Sequence, residues 1–439
     1  MASTAKAPPR KKKRAIALAG GGPAAGLHIG VLDALERCGV TFDVWSLSCI
    51  GGWVGVYYNQ LMGQGKAALT REFFREHAFR DTGSYAGFPV NKAFAPHLQA
   101  HATAWLAHSL NPQTYFNAFN VRNELPAVAQ GWARFLTTPE MWLKEGDWNA
   151  HVLNNILAVH PMSRYLTSLL YLSEINGLSN IYYKDSSFLD GIKIGNLDLL
   201  DIENLDQMSR DQLQKLATSY DPARIAAERH AVPEIYHNAW RIAEPANGGP
   251  SAKGDLQLFN NKWFDYRHRS KPRDYLPISR ASLCACSALP YVEQTVEIPN
   301  DDGRHYSEGA LVDTVSFRHL VEDHPDLDEI WVCRIVDYRQ LRLQRNLHES
   351  LGNLCQQFAA EVGENDIKLF KSHLRKSAGP TPRVVEIPLE VDTEVNYRWD
   401  HANLDTGFAE GRRAVSKLLD DSKELREDVT SNPAWPKPT

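Results

Sequence analysis

Short apolar runs alternate with helix-like stretches near the start of the chain. RAIALAGGG has the pattern of a buried strand that meets a glycine turn, and AGLHIGVLDALERCG places apolar residues at helical spacing. VTFDVWSL is again strand-like, and GGWVGVYYNQLM has the pattern of a helix behind a tight turn. This alternation predicts an α/β fold, with a mainly parallel central sheet and helices on both faces.

The pattern changes beyond this region. Residues 63–230 are rich in aromatic residues, Asn and His, and helix-like stretches such as SRYLTSLLYLSEI occur there without clean strand alternation. Strand-like segments resume at PEIYHNAWRIAE and DLQLFNNKWF. We therefore predict an α/β core formed by residues 14–62 and 231–425, interrupted by a large, mainly helical, cap-like insertion at 63–230. We expect a basic tail at 1–13 and a loose C-terminal tail at 426–439.

Composition and charge narrow the class of protein. The chain has 439 residues, of which 43% are hydrophobic, and this is enough for a substantial core. The formal net charge of -5 argues against a nucleic-acid partner. The sequence shows no signal peptide and no apolar run of about 18 residues. We therefore expect a cytoplasmic protein whose contact with a membrane, if it makes one, is peripheral.

The six cysteines are thinly spread and lie mostly in apolar runs, as is typical of reduced thiols. Cys284 and Cys286 are two residues apart, which is closer than the usual spacing in a metal-binding pair. We interpret both as small core residues. No spacing of His, Cys, Asp or Glu predicts a metal site, and no motif implies a cofactor.

Three consecutive glycines lie between the first strand and the first helix. The backbone N–H groups of Gly20, Gly21 and Gly22 can point into one concavity at the positive end of the helix dipole, where they would hold a phosphate or an oxyanion. A nucleotide site is disfavoured because no Lys-Ser or Lys-Thr pair follows the loop, and because the second strand does not stop at a ribose-binding acid. A purely structural glycine turn stays an alternative.

The stretch SLSCIGGWVG is typical of a strand that passes through a tight turn into a helix and presents a nucleophile. The expected motif is Gly-x-Ser-x-Gly, and no alignment of this stretch reproduces it. The candidate nucleophiles are Ser48 and Cys49, and an inert, buried cysteine is the alternative.

Three segments in this order carry a resemblance: LAGGGPAAGLHIGVLDALERCGVTFDVWSLSCIGGWVG, SRASLCACSALPYVEQTVEI and HYSEGALVDT. Together they resemble the patatin-like phospholipase family, which has a glycine oxyanion loop, a nucleophile turn, a small-residue helix that ends in Ser-Ala-x-Pro, and an Asp-Gly that completes a dyad. The match is good over residues 14–62 and 275–335. The resemblance implies an α/β-hydrolase-related fold and a hydrolase of lipid acyl esters.

The resemblance also implies the roles of single residues. It puts Cys49 at the nucleophile position, followed by Ile50 as a backbone donor, and Glu308 at the acid position. Ser48, Gly51 and Gly309 would support these two turns. Asp302-Gly303 is the alternative acid, although we interpret it as the tip of a hairpin. Ala24 replaces the loop's usual basic residue, and Pro23 has no N–H to donate.

These substitutions lead to a functional hypothesis. We expect an acyl hydrolase that acts on lipid-like esters or thioesters through a Cys49/Glu308 dyad and the glycine loop, in lipid degradation. The start of a helix is expected to lower the pKa of the Cys49 thiol, whereas a neighbouring carboxylate raises it. The alternatives are an acyltransferase that uses the same acyl-enzyme and a non-catalytic lipid- or acyl-binding protein. An engineered replacement of a serine at position 49 is disfavoured by the simultaneous changes at 24 and 308.

Overall fold

The structure is a computed structural model in which the chain forms two compact units, Met1–Ala95 with Ser179–Thr439, and Pro96–Leu178. It describes residues 12–82, 91–93, 98–113, 121–137, 177–179, 187–197, 205–219, 232–243, 253–264, 275–341, 343–344, 347–376, 381–389 and 398–430. Residues 1–11 and 431–439 of the predicted tails lie outside these ranges, as does SRYLTSLLYLSEI.

In chain order, the described strands are β1 Arg14–Leu18, β2 Val44–Leu47, β3 Gly177–Ser179, β4 Glu234–Arg241, β5 Asp255–Asn260, β6 Leu276–Pro277, β7 Tyr291–Glu293, β8 Val296–Ile298, β9 Arg304–Glu308, β10 Glu329–Cys333 and β11 Arg383–Glu386. Strands β1, β2, β4 and β5 lie in segments for which the sequence predicts strands, whereas β3 lies within the insertion predicted to be mainly helical.

The described residues also form twelve α-helices. They are α1 Ala25–Arg37, α2 Ile50–Gln60, α3 Lys66–His77, α4 Leu98–Leu110, α5 Val121–Thr137, α6 Ser187–Asp190, α7 Arg210–Ser219, α8 Arg280–Cys286, α9 Arg318–Asp323, α10 Leu347–Lys376, α11 His401–Asp421 and α12 Lys423–Thr430. Helices α4 and α5 belong to the unit Pro96–Leu178, which lies within the predicted insertion.

Most of the described strands form one sheet with the order β11-β10-β1-β2-β4-β5-β6. The five strands from β11 to β4 are parallel, and β5 runs antiparallel to β4. A hairpin of β8 and β9 joins the sheet through β9, which also pairs with β4. The predicted fold class, a mainly parallel central sheet with covering helices, is confirmed.

The first strand explains why both faces of the sheet are covered. Side chains alternate between the two faces of a strand. Successive residues of β1 accordingly belong in turn to two buried clusters, one on each face of the sheet. Ile16 and Leu18 pack with residues of α1, α2 and α11. Ala15 and Ala17 pack with residues of α9 and α10.

Helix α11 packs tightly on α1, and glycine permits this close approach. A Cβ on Gly30 would lie 2.1 Å from the Phe408 carbonyl oxygen, and one on Gly411 would lie 2.3 Å from the Leu27 oxygen. Both distances are far below van der Waals contact, so a larger residue at either position would push the helices apart. This crossing fixes α1 directly behind the glycine loop.

None of the helices in the described ranges combines the length and the apolarity that a membrane crossing requires. Within the same ranges, His, Cys, Asp and Glu side chains form no group that could hold a metal ion.

Candidate active site

Cys49 lies in a strained turn between β2 and α2. Its backbone has φ 50° and ψ -122°, an unusual conformation for a residue other than glycine. A Cβ at position 51 would lie 2.3 Å from the Leu18 carbonyl oxygen, so Gly51 is required for the helix to start this close to β1. The turn therefore has the geometry of a nucleophile elbow.

The sheet topology brings Glu308 to this turn. Strand β2 ends at Leu47, which pairs with His237 of β4. The opposite edge of β4 is taken by β5, and therefore β9 occupies the edge that β2 leaves, with Glu308 opposite Ala239. The last residue of β9 thus arrives beside the residues that follow β2.

Gly309 allows the chain to turn away immediately after Glu308. A Cβ at position 309 would lie 2.8 Å from Asn238 Oδ1 and 2.9 Å from the Ala239 Cα. The Glu308 N–H donates to the Ala288 carbonyl oxygen at 2.9 Å, which ties the acid to the segment after α8. Close backbone packing on β4 thus explains why a glycine follows Glu308.

The Cys49 thiol and the Glu308 carboxyl group lie close enough to interact electrostatically, and both are buried. Burial raises the pKa of Glu308 to about 7, and the contact with the thiol lowers it by less. Burial, followed by the charge of Glu308, raises the pKa of Cys49 well above its usual value. Of the two opposing effects that the sequence predicts, the rise caused by the neighbouring carboxylate is therefore found, and together with desolvation it outweighs the lowering expected from the helix start.

The glycine loop packs against both side chains. A Cβ on Gly20 would lie 3.1 Å from the Cys49 Cβ and 3.9 Å from Glu308 Oε1. Among the described residues, the N–H groups of Gly20 and Gly21 donate to no backbone carbonyl oxygen. Gly22 begins a 3₁₀ turn, Gly22–Ala24, and as the first residue its N–H has no partner within the turn. The Ile50 N–H lies near the Cys49 sulfur and lowers the pKa of the thiol, but by less than burial and Glu308 raise it.

His28 lies beneath this loop and does not reach the pocket. Its Nε2 is 2.8 Å from the Ala19 carbonyl oxygen, and its Nδ1 is 3.1 Å from the Cys333 sulfur. Burial lowers its pKa to about 4, so the ring is neutral at pH 7. Since a carbonyl oxygen only accepts, Nε2 carries the hydrogen and holds the residue that precedes Gly20.

Cys286 contributes to the turn in a way that its sequence position does not reveal. Its sulfur accepts a hydrogen bond from the Cys49 N–H at 3.0 Å. The interpretation of Cys286 as only a small core residue is therefore incomplete, because this buried thiol holds the backbone of the elbow. Cys284 is buried as well.

Two of the candidate residues point away from the loop. The Ser48 hydroxyl lies 3.3 Å from Asn238 Oδ1 and 3.4 Å from the Asp313 carbonyl oxygen. Asp302 has φ 57° and Gly303 has φ 75°, which are the conformations of a turn tip between β8 and β9. The structure thus brings Cys49, Glu308 and the glycine loop together, and keeps Ser48 and Asp302 apart from them.

A pocket that is partly open to solvent lies above these residues. Its floor is the glycine loop, Cys49 and Glu308. Its walls are mostly apolar and include Leu289, Val292, Leu311 and Trp399. Such a pocket suits an apolar group that carries one reactive polar function.

A comparison with protein-family models shows the family to which the chain belongs. A model of the patatin-like phospholipases matches residues 16–321, which is more than half of the chain. The chain belongs to the patatin-like phospholipase family. The activity at the level of this family is lipid acyl hydrolysis, and lipid esters are the substrates. The patatin-like resemblance of the sequence is thereby confirmed.

Two further comparisons add less. VipD from Legionella pneumophila, a solved structure, is 10% identical, with 94% of this chain and 67% of VipD covered and a TM-score of 0.36. This TM-score is too low to support an argument. No curated protein matches the chain.

Proposed function

We propose that this patatin-like protein hydrolyses lipid-like acyl esters or thioesters, with Cys49 as the nucleophile and Glu308 as its general base. The observation that carries the proposal is that the buried thiol and the buried carboxyl group lie next to each other at the floor of one pocket, beside the glycine loop. A nucleophile that contacts its base, with backbone donors nearby, suits covalent acyl transfer.

The base is needed because the thiol is protonated at neutral pH. In the proposed reaction, the Cys49 sulfur attacks the carbonyl carbon while its proton passes to the ionised Glu308. The loop N–H groups stabilise the oxyanion, which collapses to a thioester as the leaving group takes the proton from Glu308. Water then attacks the thioester and gives its proton to Glu308, and the acid is released as the thiol reforms.

The N–H groups of Gly20, Gly21 and Gly22 are the proposed oxyanion donors, together with that of Ile50. In the resting site the Ile50 N–H lies near the Cys49 sulfur. On attack, the sulfur's electron density moves into the new bond, and this N–H becomes available to the oxyanion beside it. Apolar walls lower the polarity around the reacting atoms and strengthen these hydrogen bonds.

One observation favours a second candidate function, acyl binding without turnover. The raised pKa of the Cys49 thiol leaves it almost entirely protonated at neutral pH, and a protonated thiol is a weak nucleophile. Acyl transfer to an acceptor other than water would proceed through the same Cys49 thioester. The test must therefore separate adduct formation from release.

The decisive experiment is the intact mass of the protein after incubation with p-nitrophenyl esters and acyl thioesters of several chain lengths. We expect an acyl-sized mass increase on the native chain and none on Cys49→Ala. Cys38→Ala is the matched control, because Cys38 is also buried but lies at the end of α1, outside the pocket.

Three other outcomes are informative. An unchanged adduct on Cys49→Ala would contradict the assignment of the nucleophile. A native chain that retains lipid but gives neither adduct nor product would support binding without turnover. An adduct that persists in water and is discharged by an added alcohol would identify an acyltransferase.

A further inference from the structure

Asn238 lies at the point where strand β4 changes its neighbour. The same edge of β4 pairs through His237 with the last residue of β2, and through Ala239 with the last residue of β9. Asn238 is the single residue between these two pairs. The ends of β2 and β9, which lead to Cys49 and carry Glu308, therefore meet on either side of Asn238.

The Asn238 side chain joins the two segments that meet here. Its Nδ2 donates to the Asp313 carbonyl oxygen at 2.7 Å, and its Oδ1 lies 3.3 Å from the Ser48 hydroxyl. A carbonyl oxygen can only accept, so the bond to Asp313 fixes which end of the amide faces each segment. The Ser48 hydroxyl then donates to Oδ1, with the Asp313 carbonyl oxygen as a second acceptor at 3.4 Å. We refer to Ser48, Asn238 and Asp313 as the amide bridge.

Both ends of the amide bridge are attached to the proposed dyad. Ser48 directly precedes Cys49 in the chain. The Asp313 N–H donates to the Gly309 carbonyl oxygen at 3.0 Å, and Gly309 directly follows Glu308. A movement of one end relative to the other would therefore change the separation of the thiol and the carboxyl group.

The amide bridge is separated from solvent and from the substrate. Asn238 and Ser48 are buried, and neither lines the pocket. A buried polar group that loses its hydrogen bond keeps the full cost of its desolvation, so these bonds resist breaking. A substitution at either position should alter the dyad and leave the apolar walls of the pocket in place.

We propose that Asn238 is a positioning residue, which fixes the separation of Cys49 and Glu308 through the amide bridge. The proposal rests on the proposed function, since it names what holds the nucleophile and its base in register. Proton transfer requires the two groups to lie within hydrogen-bond reach, and a misplacement of about 1 Å can lower a rate by about 10²-fold.

The first test is steady-state kinetics on a p-nitrophenyl ester. Asn238→Leu keeps a side chain of similar size without its hydrogen bonds, and we expect kcat to fall about 100-fold with KM within about twofold. Ser48→Ala removes one end of the bridge and should lower kcat by about tenfold. Because both changes break the same bridge, the double variant should lose no more than Asn238→Leu alone. Losses that multiply would overturn the proposal.

Asn59→Leu is the matched control for these variants. Asn59 is also buried, and its Nδ2 donates to the Gly55 carbonyl oxygen at 2.8 Å. It lies at the far end of α2 from the elbow and outside the pocket, so kcat should stay at the native value. A loss as large as that of Asn238→Leu would also overturn the proposal.

A second test examines the dyad without any ester turnover. It follows the alkylation of Cys49 by iodoacetamide as a function of pH, measured by peptide mass. In the native chain the ionised Glu308 takes the thiol proton, so the rate should rise to about pH 7 and then level off. In Asn238→Leu the thiol lacks its base and its pKa is high, so the rate should keep rising by about tenfold per pH unit.

The other titratable groups near Glu308 are unchanged between the two chains. Burial and the charge of Glu308 raise the pKa values of Cys286 on α8 and Cys355 on α10, and both thiols are protonated at pH 7. Glu293 lines the same pocket. A rate that levels off in Asn238→Leu as well would overturn the role of the bridge alone. The expected difference in a chain without turnover would support the bridge and refute the proposed function, and a native rate that never levels off would overturn both.

Discussion

Two carboxylates, Glu308 and Asp366, have the same raised pKa in different surroundings. Burial is the main cause in both cases, and each pKa is raised to about 7. Glu308 contacts a thiol at the end of a strand. Asp366 lies on α10, where it accepts the N–H groups of Thr314 and Val315 at 2.9 and 3.1 Å. A raised pKa therefore indicates a functional site only where a reactive group lies in contact.

The second carboxylate has a structural explanation. Asp313 faces Asp366, and the like charge raises the pKa of Asp366 further. The Asp313 carbonyl oxygen accepts the Asn238 side-chain amide at 2.7 Å. The two bonds that Asp366 accepts therefore hold the segment that follows the Glu308 turn, without contact to the Cys49 thiol.

Neutralising each acid in turn should show the largest difference between the roles of Glu308 and Asp366. Glu308→Gln removes the proposed base, and we expect kcat/KM to fall by about 10²–10⁴-fold. Asp366→Asn keeps an oxygen that can accept the same N–H groups, and we expect kcat/KM within about twofold of the native value. Steady-state kinetics on a p-nitrophenyl ester measure both. Equal losses in the two variants would refute the distinction.

The pH dependence of kcat/KM in the native chain also distinguishes Glu308 from Asp366. Because Glu308 must be ionised to accept the proton, kcat/KM should fall by about tenfold per pH unit below about 7 and level off above it. Asp366→Asn should keep this profile. A profile that is flat through pH 7, or that shifts in Asp366→Asn, would assign the ionisation to another group.

Much of this arrangement follows from the sequence. The glycine loop, the elbow after β2 and the hairpin before Glu308 are local features, and short-range rules predict them. The sequence also distinguishes Asp302-Gly303 from the proposed acid Glu308, because Asp-Gly is a typical residue pair at the tip of a turn. The roles of Cys49 and Glu308 stay predictions until a reaction is measured.

Other features could not be predicted because they depend on distant parts of the chain. That β9 occupies the edge of β4 vacated by β2 is a consequence of long-range strand pairing. The direction of the Cys49 pKa shift depends on how completely the fold removes water from the thiol. The sulfur of Cys286 and the ring of His28 act on backbone groups, and neither contact leaves a pattern in the sequence.

The cost of burying Glu308 gives a prediction about stability. Its pKa is raised above 4.5, so its contribution to the free energy of unfolding is full below about pH 4.5 and is lost as the pH rises to about 7. The full loss is on the order of 3 kcal/mol. We expect urea unfolding at pH 5 and pH 8 to show this loss in the native chain, and Glu308→Gln to lack most of it. Glu297→Gln, on the exposed side of β8, is the matched control, and the same loss in Glu308→Gln would contradict the prediction.

The smallest effect that we predict concerns a buried group that stays neutral. His28 donates to the Ala19 carbonyl oxygen and thereby orients the peptide that carries the Gly20 N–H. Removal of the donor in His28→Ala should lower kcat by about tenfold and leave KM nearly unchanged, because the oxyanion forms only during the reaction. His28→Gln retains an N–H donor and should recover most of the rate. If the two variants lose kcat equally, His28 acts through packing alone, whereas rescue by glutamine would separate this positioning role from the base role of Glu308.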